Sequence, residues 1–297
     1  MLMRSKLFVP GSRPELFAKA VASAADALSF DLEDAVAEDR KVEARASLAA
    51  FLRDLPKGLR KTVIVRVNAV GSDHFAADME AVVRPRLGVI NLPMAEDAAT
   101  IAEAAALLGR LEKADGSGGA GRTRILVNIE TPKGLRKAAE LAAAHPRVIG
   151  LQIGYADLLE PFGLDRSDPA ALAYIRMAVR LAAAEAGVAA YDGAYASVSD
   201  PDGYRAECEA ARRHGFAGKS CIHPSQIAIA NEAFMPKPAE VERARRILAA
   251  AAEAHAKSVG AFLVDGRMVD APFLVSARAI VALADLHATD AANPSEA

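Results

Sequence analysis

Residues 124–157 read RILVNIETPKGLRKAAELAAAHPRVIGLQIGYAD and contain one unit of a repeating pattern. Apolar runs at Arg124–Ile129 and Val148–Ile153 flank a stretch at Gly134–Ala143 that is rich in Ala, Leu, Lys and Glu. Short apolar runs are typical of parallel strands buried on both faces, and the stretch between them has the composition of a helix. The sequence therefore predicts a strand, a helix and a second strand here.

The same alternation runs through most of the chain. The predicted strands are Lys6–Val9, Ala27–Asp31, Thr62–Arg66, Gly88–Leu92, Arg124–Ile129, Val148–Ile153, Gly187–Tyr191 and Gly218–Ile222. The predicted helices are Pro14–Ala25, Ala37–Leu52, Asp73–Arg84, Asp97–Lys113, Gly134–Ala143, Pro169–Ala186 and Pro201–His214. Eight strands with helices between them predict a (β/α)8 TIM barrel, whose usual size is about 250 residues. A doubly wound open sheet is the alternative, although no G-x-G-x-x-G motif follows the first strand.

The alternation of short strands and helices ends near the C-terminus. Pro236-Lys237-Pro238 breaks the chain, a long helix is predicted at Ala239–Val259, and a turn at Asp265-Gly266-Arg267 precedes a last helix at about Ala271–His287. This part is too short for a core of its own, so we expect an extension that packs on the barrel or on a neighbouring subunit. The predicted organisation is a barrel at 1–235, a helical extension at 236–288 and a disordered tail at 289–297.

Composition excludes several classes of function. Lys and Arg total 36 and Asp and Glu total 38, a net charge of −2, and the chain has no Trp, which argues against nucleic acid as a partner. Two cysteines cannot build a disulfide framework or a four-ligand zinc site. No apolar stretch is long enough to span a membrane, and the first apolar run stops at Pro10, so we expect a cytoplasmic protein. The glycine-rich segment 115–121 is predicted to be a surface connector, because no Lys-Ser/Thr follows it as a P-loop requires.

Carboxylates follow two adjacent predicted strands. Glu130 comes directly after the fifth strand, and Asp157 follows the sixth, 27 residues further on. The C-terminal ends of barrel strands supply the functional groups of this fold, and two hard oxygen ligands with open positions suit Mg²⁺. We therefore predict a metal site, against the alternative that Glu130 caps a helix and Asp157 a loop.

A second acidic group follows the second strand. Asp31, Glu33 and Asp34 place three carboxylates within four residues, which repel one another unless a cation is near. The alternative is that Asp34 simply caps the next helix. Arg66 ends the third strand, where an unpaired guanidinium would be costly. It either pairs with these carboxylates or binds an anionic group of the substrate, and we favour the substrate.

Other catalytic chemistries find less support. The chain has no G-x-S-x-G motif of a serine hydrolase. Lys219 could form a Schiff base, but its setting favours a structural or phosphate-contacting lysine. His223 could act as a base or could be hydrogen-bonded at the rim of the barrel.

Several strings of this sequence resemble the citrate lyase beta-subunit family, which includes malyl-CoA and citramalyl-CoA lyases. The strings occur in order from Arg4 to about Ala284: Arg4–Gly11, Asp31–Val36, Arg66–Asn68, Ile129–Pro132, Gly215–Lys219 with Ile222–Ile227, and Asp265–Asp270. Any one of them is weak, but six in the family order are a specific signal. Two positions depart from many relatives: Met94 stands where a Lys is common, and Tyr155 where a smaller residue is common.

The resemblance implies a TIM barrel with a C-terminal extension, assembled as trimers or hexamers. It implies Mg²⁺ bound by Glu130 and Asp157; Mn²⁺ stays open, since hard oxygen ligands accept both ions. It further implies that Arg66 contacts the substrate. It also implies that Asp270 acts as a base in the active site of the adjacent subunit. Glu33 and Asp34 would orient metal-bound water and Arg66. Candidate contacts to the phosphates of CoA are Lys6, Ser12 and Arg13.

The implied reaction is reversible cleavage of a 3-hydroxy-3-carboxyacyl-CoA thioester to an acyl-CoA and a 2-oxo acid. A citrate lyase subunit working on an acyl carrier protein is an alternative within the family. Three other functions stay open: a malyl-CoA-type thioesterase, a CoA-independent pyruvate aldolase, and a non-catalytic acyl-CoA-binding subunit. Ligand binding without turnover would identify the last of these.

Overall fold

A computed structural model describes residues 2–56, 58–114, 121–256 and 260–292. The chain divides into two compact units, up to Phe234 and from Met235 onward. The first unit contains eight parallel strands that close into a barrel, β1-β2-β3-β4-β5-β6-β7-β8. Closure is made by β1 against β8, where Lys6 stands opposite Ser220. The predicted barrel is therefore confirmed, and the open sheet is excluded.

The strands of the barrel are short and almost wholly buried. They are β1 (Ser5–Pro10), β2 (Ala27–Asp31), β3 (Thr62–Arg66), β4 (Val89–Leu92), β5 (Arg124–Ile129), β6 (Val148–Ile153), β7 (Ala189–Asp192) and β8 (Gly218–Cys221). All five residues of β2 are buried, as expected of a strand covered on both faces. Four strands coincide with their predicted bounds; β7 begins two residues later than predicted and ends at Asp192.

The helices surround the barrel. Those of the first unit are α1 (Phe17–Val21), α2 (Lys41–Asp54), α3 (Phe75–Val82), α4 (Ala98–Ala114), α5 (Pro132–Arg136), α6 (Ala138–Ala143), α7 (Tyr155–Leu159), α8 (Pro169–Glu185), α9 (Pro201–Arg213) and α10 (Ser225–Ala233). Three 3₁₀ turns lie at Pro14–Leu16, Glu38–Arg40 and Glu160–Phe162. The helices bury apolar faces against the strands; Leu48, Ile101 and Val179 have no exposed surface.

Several predicted helices differ from the structure. The predicted helix Pro14–Ala25 is a 3₁₀ turn followed by the short α1. The predicted helix Gly134–Ala143 is two helices, because Lys137 leaves the helical region with ψ of 12°. The short helix α7 and the helix α10 were not predicted. Thr131 begins α5 as an N-cap, its hydroxyl accepting the Gly134 N–H at 2.9 Å, and Pro132 follows at the first helical position.

The second unit is a helical pair with a small hairpin. It consists of α11 (Pro238–Ala256), the antiparallel strands β9 (Phe262–Val264) and β10 (Arg267–Val269), and α12 (Ala271–Ala292). The predicted turn is present: Asp265 and Gly266 have φ of 50° and 73°, as a two-residue hairpin loop requires. A small apolar cluster forms its core: Ala244, Ile247, Val264, Val269 and Ala277.

Two sequence predictions fall partly outside the described residues. The helix α12 continues to Ala292, four residues into the predicted tail, and residues 293–297 lie outside the described part of the chain. Most of the predicted connector at 115–121 lies outside it as well.

Within the described residues no helix combines the length and hydropathy needed to cross a membrane. Cys208 and Cys221 are buried free thiols.

Candidate active site

A cavity of about 1210 Å³ lies at the C-terminal ends of the barrel strands. Its walls contain acidic side chains from β2, β5 and the segment after β6, together with the guanidinium of Arg66. The acidic residues of these walls are Asp31, Asp34, Glu130, Asp157, Glu160, Asp165 and, from α9, Glu207. The strand ends therefore bring four of the predicted carboxylates, Asp31, Asp34, Glu130 and Asp157, to one cavity.

Glu130 is the most constrained of these carboxylates. It is 2% exposed; its Oε1 accepts the Met94 backbone N–H at 2.6 Å, and its Oε2 accepts the Asn128 Nδ2 at 3.2 Å. Burial raises the pKa of Glu130 to about 7; the charges of Asp157 and Asp34 add to the rise, and the Met94 N–H and Arg66 oppose it. Since Thr131 caps α5, the alternative role of Glu130 as a helix cap is excluded.

Met94 adopts a backbone conformation that side chains rarely take. Its φ is 52°, in the left-handed region, and the residue is 45% exposed. This conformation directs its N–H to the Glu130 carboxylate. In the sequence Met94 stands out only as a departure from relatives. In the structure its backbone N–H is the group that contacts the site, through Glu130.

Asp157 lies in the first turn of α7. Partial burial and the charge of Asp34 raise its pKa, while Arg66 lowers it. The charge of Asp157 also raises the pKa of Glu130, as expected for carboxylates that follow adjacent strands. The two positions predicted from their spacing are brought together.

Arg66 is held by the acidic group that follows β2. Its Nε and Nη2 donate to the two carboxylate oxygens of Asp31 at 2.8 and 2.6 Å. Its Nη1 lies 2.6 Å from Oε2 of Glu33 and 3.0 Å from Oδ2 of Asp34. The guanidinium also stacks over the Phe8 ring at 5.5 Å. Arg66 is thus the cation that the three crowded carboxylates require. Of the two partners considered for Arg66, the structure shows the carboxylates, whereas the sequence analysis favours the substrate.

The protonation of this group follows from its crowding. Burial raises the pKa of Glu33 to about 8; Arg66 opposes the rise, and the charges of Asp34, Glu130 and Asp31 add to it. Burial alone would lower the pKa of Arg66, but the hydrogen bond and charge of Asp31 outweigh it, so Arg66 is a permanent cation. Asp34 does not cap a helix, because a 3₁₀ turn begins only at Glu38 and α2 at Lys41.

The donor set fits a small hard cation. Glu130 and Asp157 offer carboxylate oxygens, and the buried Asn128 Oδ1 has no hydrogen-bond partner among the described residues. Within the same residues no group of three His, Cys, Asp or Glu side chains could hold a metal ion. Two protein carboxylates with the remaining positions left to water and substrate are the coordination that Mg²⁺ prefers.

The three residues predicted to contact the phosphates of CoA have different surroundings. Lys6 is 1% exposed inside β1, and its Nζ has no hydrogen-bond partner among the described residues. Burial, with the charge of Arg66, lowers its pKa well below the ordinary value. Its Nζ lies 5.0 Å from the centroid of the Phe8 ring, a residue of the cavity wall, and its contact with CoA stays a prediction. Ser12 and Arg13 are at the mouth; the Ser12 hydroxyl donates to the Ala35 carbonyl at 3.3 Å, and the exposed Arg13 pairs with Glu15.

Asp270 belongs to the second unit. It directly precedes α12, and its backbone carbonyl accepts the N–H groups of Phe273 and Leu274. Its Oδ1 is buried and has no hydrogen-bond partner among the described residues. This oxygen is therefore not occupied in capping the helix.

Sequence reasoning missed a buried ionic network beside the carboxylates. Asp192, at the end of β7, is fully buried and accepts hydrogen bonds from Lys219 (2.6 Å), Arg176 (3.2 and 3.1 Å) and the Tyr155 hydroxyl (2.7 Å). Lys219 also donates to Glu207 at 2.9 Å. Its amine is fully engaged, which fits the structural role and not the Schiff base. Asp192 stood in the sequence directly after a predicted strand, but nothing there indicated its partners.

His223 lies on the surface after β8. Its Nδ1 is 2.8 Å from the Ser225 hydroxyl and accepts the Ser225 backbone N–H at 3.2 Å. It is thus hydrogen-bonded in a loop at the rim, the second of the two roles considered for it.

The fold and this site define a TIM-barrel protein with an acidic, metal-compatible mouth. The chain belongs to the HpcH/HpaI aldolase/citrate lyase family, whose model matches residues 4–224. A (3S)-malyl-CoA thioesterase of Cereibacter sphaeroides is 40% identical over 283 residues, covering 95% of this chain and 94% of the relative. The citrate lyase subunit beta of Escherichia coli (strain K12) is 36% identical over 284 residues, covering 95% and 93%.

Solved structures agree with this assignment. CitE from Mycobacterium tuberculosis, in complex with magnesium, acetoacetate and coenzyme A, has a TM-score of 0.75 and 34% identity, covering 95% of this chain and 97% of that one. A citrate lyase beta subunit from the same organism, complexed with oxaloacetate and magnesium, has a TM-score of 0.65 and 33% identity, covering 79% and 98%. The predicted family is confirmed, and magnesium, the predicted cofactor, is bound in these homologues.

Proposed function

We propose that this protein is a Mg²⁺-dependent carbon-carbon lyase. It cleaves or forms a 3-hydroxy-3-carboxyacyl-CoA thioester of the malyl-CoA, citramalyl-CoA or citryl-CoA type, yielding an acyl-CoA and a 2-oxo acid. The observation that carries this proposal is the pairing of Glu130 and Asp157 in the cavity that also holds Arg66. Homologous structures with magnesium and either coenzyme A or a 2-oxo acid support it.

Glu130 and Asp157 would hold the metal through carboxylate oxygens. Bound there, Mg²⁺ would act as a Lewis acid toward the oxygens of the 2-oxo acid. Holding the metal would require Glu130 to lose its proton, which the Met94 N–H donor favours by stabilising the carboxylate. Asn128 orients the other oxygen of Glu130.

Arg66 would stabilise negative charge on the reacting oxygen. In cleavage, the substrate hydroxyl loses its proton to solvent, its C–O bond becomes a carbonyl, and the carbon-carbon bond breaks with its electron pair passing to the thioester enolate. A fixed guanidinium stabilises that charge without reorganising during the reaction. Asp31, Glu33 and Asp34 hold Arg66 in place, which is the orienting role proposed for the last two.

Asp270 would exchange the proton at carbon. In condensation its carboxylate removes a proton from the methyl group of the acyl thioester, and in cleavage the acid returns that proton to the enolate. Family resemblance supports its supply by a neighbouring subunit, so we propose a homo-oligomer, a trimer or hexamer, located in the cytoplasm. Light scattering of the purified protein tests the oligomer. Mixing an inactive Asp270→Ala chain with an inactive Glu130→Ala chain tests the sharing, because mixed oligomers would regain turnover.

A thioesterase is the second candidate, and a specific observation favours it. The relative at 40% identity is a (3S)-malyl-CoA thioesterase, and it covers nearly the whole chain. The same carboxylates and metal could direct water at the thioester carbonyl. A lyase acting alone would release no free thiol, whereas a thioesterase would release thiol with the intact hydroxy acid.

The deciding experiment measures both products. Purified protein is incubated with Mg²⁺ and, separately, with malyl-CoA, citramalyl-CoA and citryl-CoA. The 2-oxo acid and the free thiol are measured in parallel. Oxo acid without thiol, lost in Glu130→Ala and Asp270→Ala, supports the lyase; thiol without oxo acid supports the thioesterase. Turnover of free pyruvate with aldehydes and no CoA requirement would support a pyruvate aldolase. CoA binding without any product would support a binding subunit.

A further inference from the structure

The turn that carries Asp157 is attached to the barrel on both sides. On one side Gly154 lies against Glu130, and its N–H donates to the Ile129 carbonyl at 3.0 Å. On the other side the Tyr155 hydroxyl reaches the Asp192 carboxylate at 2.7 Å. Asp157 follows Tyr155 by two residues in the same helical turn.

No side-chain cap fixes the start of this helix. Gly154 is its N-cap residue and has no side chain to accept the free N–H groups. The helix α7 is five residues long, too short to be stable through its own hydrogen bonds. The orientation of Asp157 therefore depends on attachments to other elements.

Tyr155 is itself held rigidly. Its side chain is buried, and the Arg166 guanidinium lies over its ring at 4.2 Å from the centroid. Arg166 is fixed in turn by two hydrogen bonds to Glu207, at 2.7 and 2.9 Å. Burial alone would raise the pKa of Asp192, but the charges of Lys219 and Arg176 outweigh it and lower the pKa to about 2. The carboxylate is therefore ionised and accepts the hydroxyl proton of Tyr155 in a charge-assisted hydrogen bond.

We propose that Tyr155 is a positioning residue for the metal site: its hydrogen bond to Asp192 fixes the turn that carries Asp157 and thereby sets the affinity for the divalent cation. The inference rests on the proposed assignment of Asp157 as a metal ligand. Groups that orient metal ligands contribute about 10–100-fold to metal affinity. The ionic network formed by β7, β8, α8 and α9 would then hold Asp192 in place for Tyr155, and so stabilise the metal site.

Tyr155→Phe tests the proposal, because it removes only the hydroxyl. Free Mn²⁺ is measured by electron paramagnetic resonance during titration of the protein, with Mg²⁺ as competitor. The expected result is a dissociation constant for Mn²⁺ about tenfold higher than in the wild type. The matched control is Tyr204→Phe: Tyr204 is fully buried, and its hydroxyl donates to the Ser220 carbonyl of β8 at 3.2 Å. It should leave the dissociation constant within about twofold of the wild-type value.

Turnover gives a second readout. Weaker positioning of a ligand raises the Mg²⁺ concentration for half-maximal activity, while kcat at saturating Mg²⁺ recovers toward the wild-type value. A general loss of stability would instead lower kcat at every Mg²⁺ concentration. Should Tyr155→Phe not fold, Arg166→Gln keeps a donor for Glu207 and removes the cation over the ring; it should raise the dissociation constant by a smaller factor.

The outcomes separate this inference from the proposed function. Wild-type affinity for Mn²⁺ in the Tyr155 variant, or in Arg166→Gln if that variant is needed, overturns the inference and leaves the proposed function intact. Wild-type protein that binds no Mn²⁺, or Glu130→Gln that binds it as tightly as the wild type, overturns the metal site and with it the proposed function.

Discussion

Gly154 lies directly against the side chain of Glu130. A Cβ atom on Gly154 would stand 2.5 Å from Oε2 and 2.6 Å from Cβ of Glu130, closer than side-chain carbons approach one another. The residue after β6 must therefore be glycine for the residue after β5 to keep its place. The segments that follow β5 and β6, which supply the proposed metal ligands, therefore pack directly against each other at this point.

We expect Gly154→Ala to displace Glu130 and weaken metal binding. The added methyl group must push the carboxylate away from the Met94 N–H, since the backbone on both sides is paired in the barrel. Isothermal titration with Mg²⁺ should show at least a tenfold loss of affinity, in the range of changes that disturb the orientation of a ligand. The control is Gly109→Ala in α4, where the nearest atom to the new Cβ is 3.9 Å away; it should bind Mg²⁺ normally.

Removing either proposed metal ligand should abolish metal-dependent turnover. We expect Glu130→Gln and Asp157→Asn to lower kcat/KM by at least about 100-fold, because an amide is a much weaker ligand for Mg²⁺ than a carboxylate. Glu160→Gln is the control, since Glu160 is an exposed carboxylate of the same cavity wall three residues after Asp157. Steady-state assays over a range of Mg²⁺ concentrations measure all three. Equal activity of Glu130→Gln and Glu160→Gln would contradict the proposed ligands.

Arg66→Lys should impair catalysis although it keeps the charge. Lysine cannot reproduce the two parallel hydrogen bonds to Asp31, so the cation would lose its fixed position. We expect kcat to fall by about 100-fold, the size found when a fixed donor to a developing oxyanion is removed. The control is Arg4→Lys, which breaks an equivalent bidentate pair with Asp26 at the other end of the barrel. A similar loss of kcat in both variants would indicate destabilisation instead of a catalytic role for Arg66.

The buried pair of Glu112 and Arg147 should make stability depend on acid pH. Burial alone would raise the pKa of Glu112, but hydrogen bonds from Arg147 and from the N–H groups of Thr123 and Gly121 lower it to about 2. Because the folded pKa lies below the unfolded value, this stabilisation is present above about pH 4.5 and is lost as the pH falls toward 2. Urea unfolding as a function of pH measures it.

Substitution of Glu112 should remove that dependence. Glu112→Gln leaves Arg147 buried without a charged partner, which should lower the free energy of unfolding at pH 7 by about 3–5 kcal/mol. Glu140→Gln, which breaks the exposed pair with Lys137, should change it by less than about 0.5 kcal/mol. A Glu112→Gln protein as stable as the wild type at pH 7 would be incompatible with this account.

The strands could be predicted because their burial leaves a simple pattern. β2, β3, β5 and β6 are covered on both faces, so each is a mainly apolar run that ends where the chain reaches the polar mouth. The helices were less clear, because composition alone does not show a break such as that at Lys137. The Thr131-Pro132 start signal for α5 was in the sequence and was overlooked.

The site was predictable only in part. The position of Glu130 and Asp157 after adjacent strands follows from the repeat, and so does their placement at one end of a barrel. The partner of Arg66 did not follow: substrate and carboxylate were both compatible with the pattern, and only the parallel register of Asp31 with Arg66 on β2 and β3 brings the pair together. The burial of Lys6 did not follow either, because a strand motif does not tell how deep in the barrel its first residues lie.

The sequence by itself determined the order of the barrel strands, the family, and the kinds of side chain at the strand ends, because these depend on local pattern and on short ordered motifs. Only the tertiary structure decided closure of the barrel between Lys6 and Ser220, the fit of Gly154 to Glu130, and the bond from Tyr155 to Asp192. The physical reason is that such contacts join residues far apart in the chain. Their energies depend on distance and burial, which no local pattern specifies.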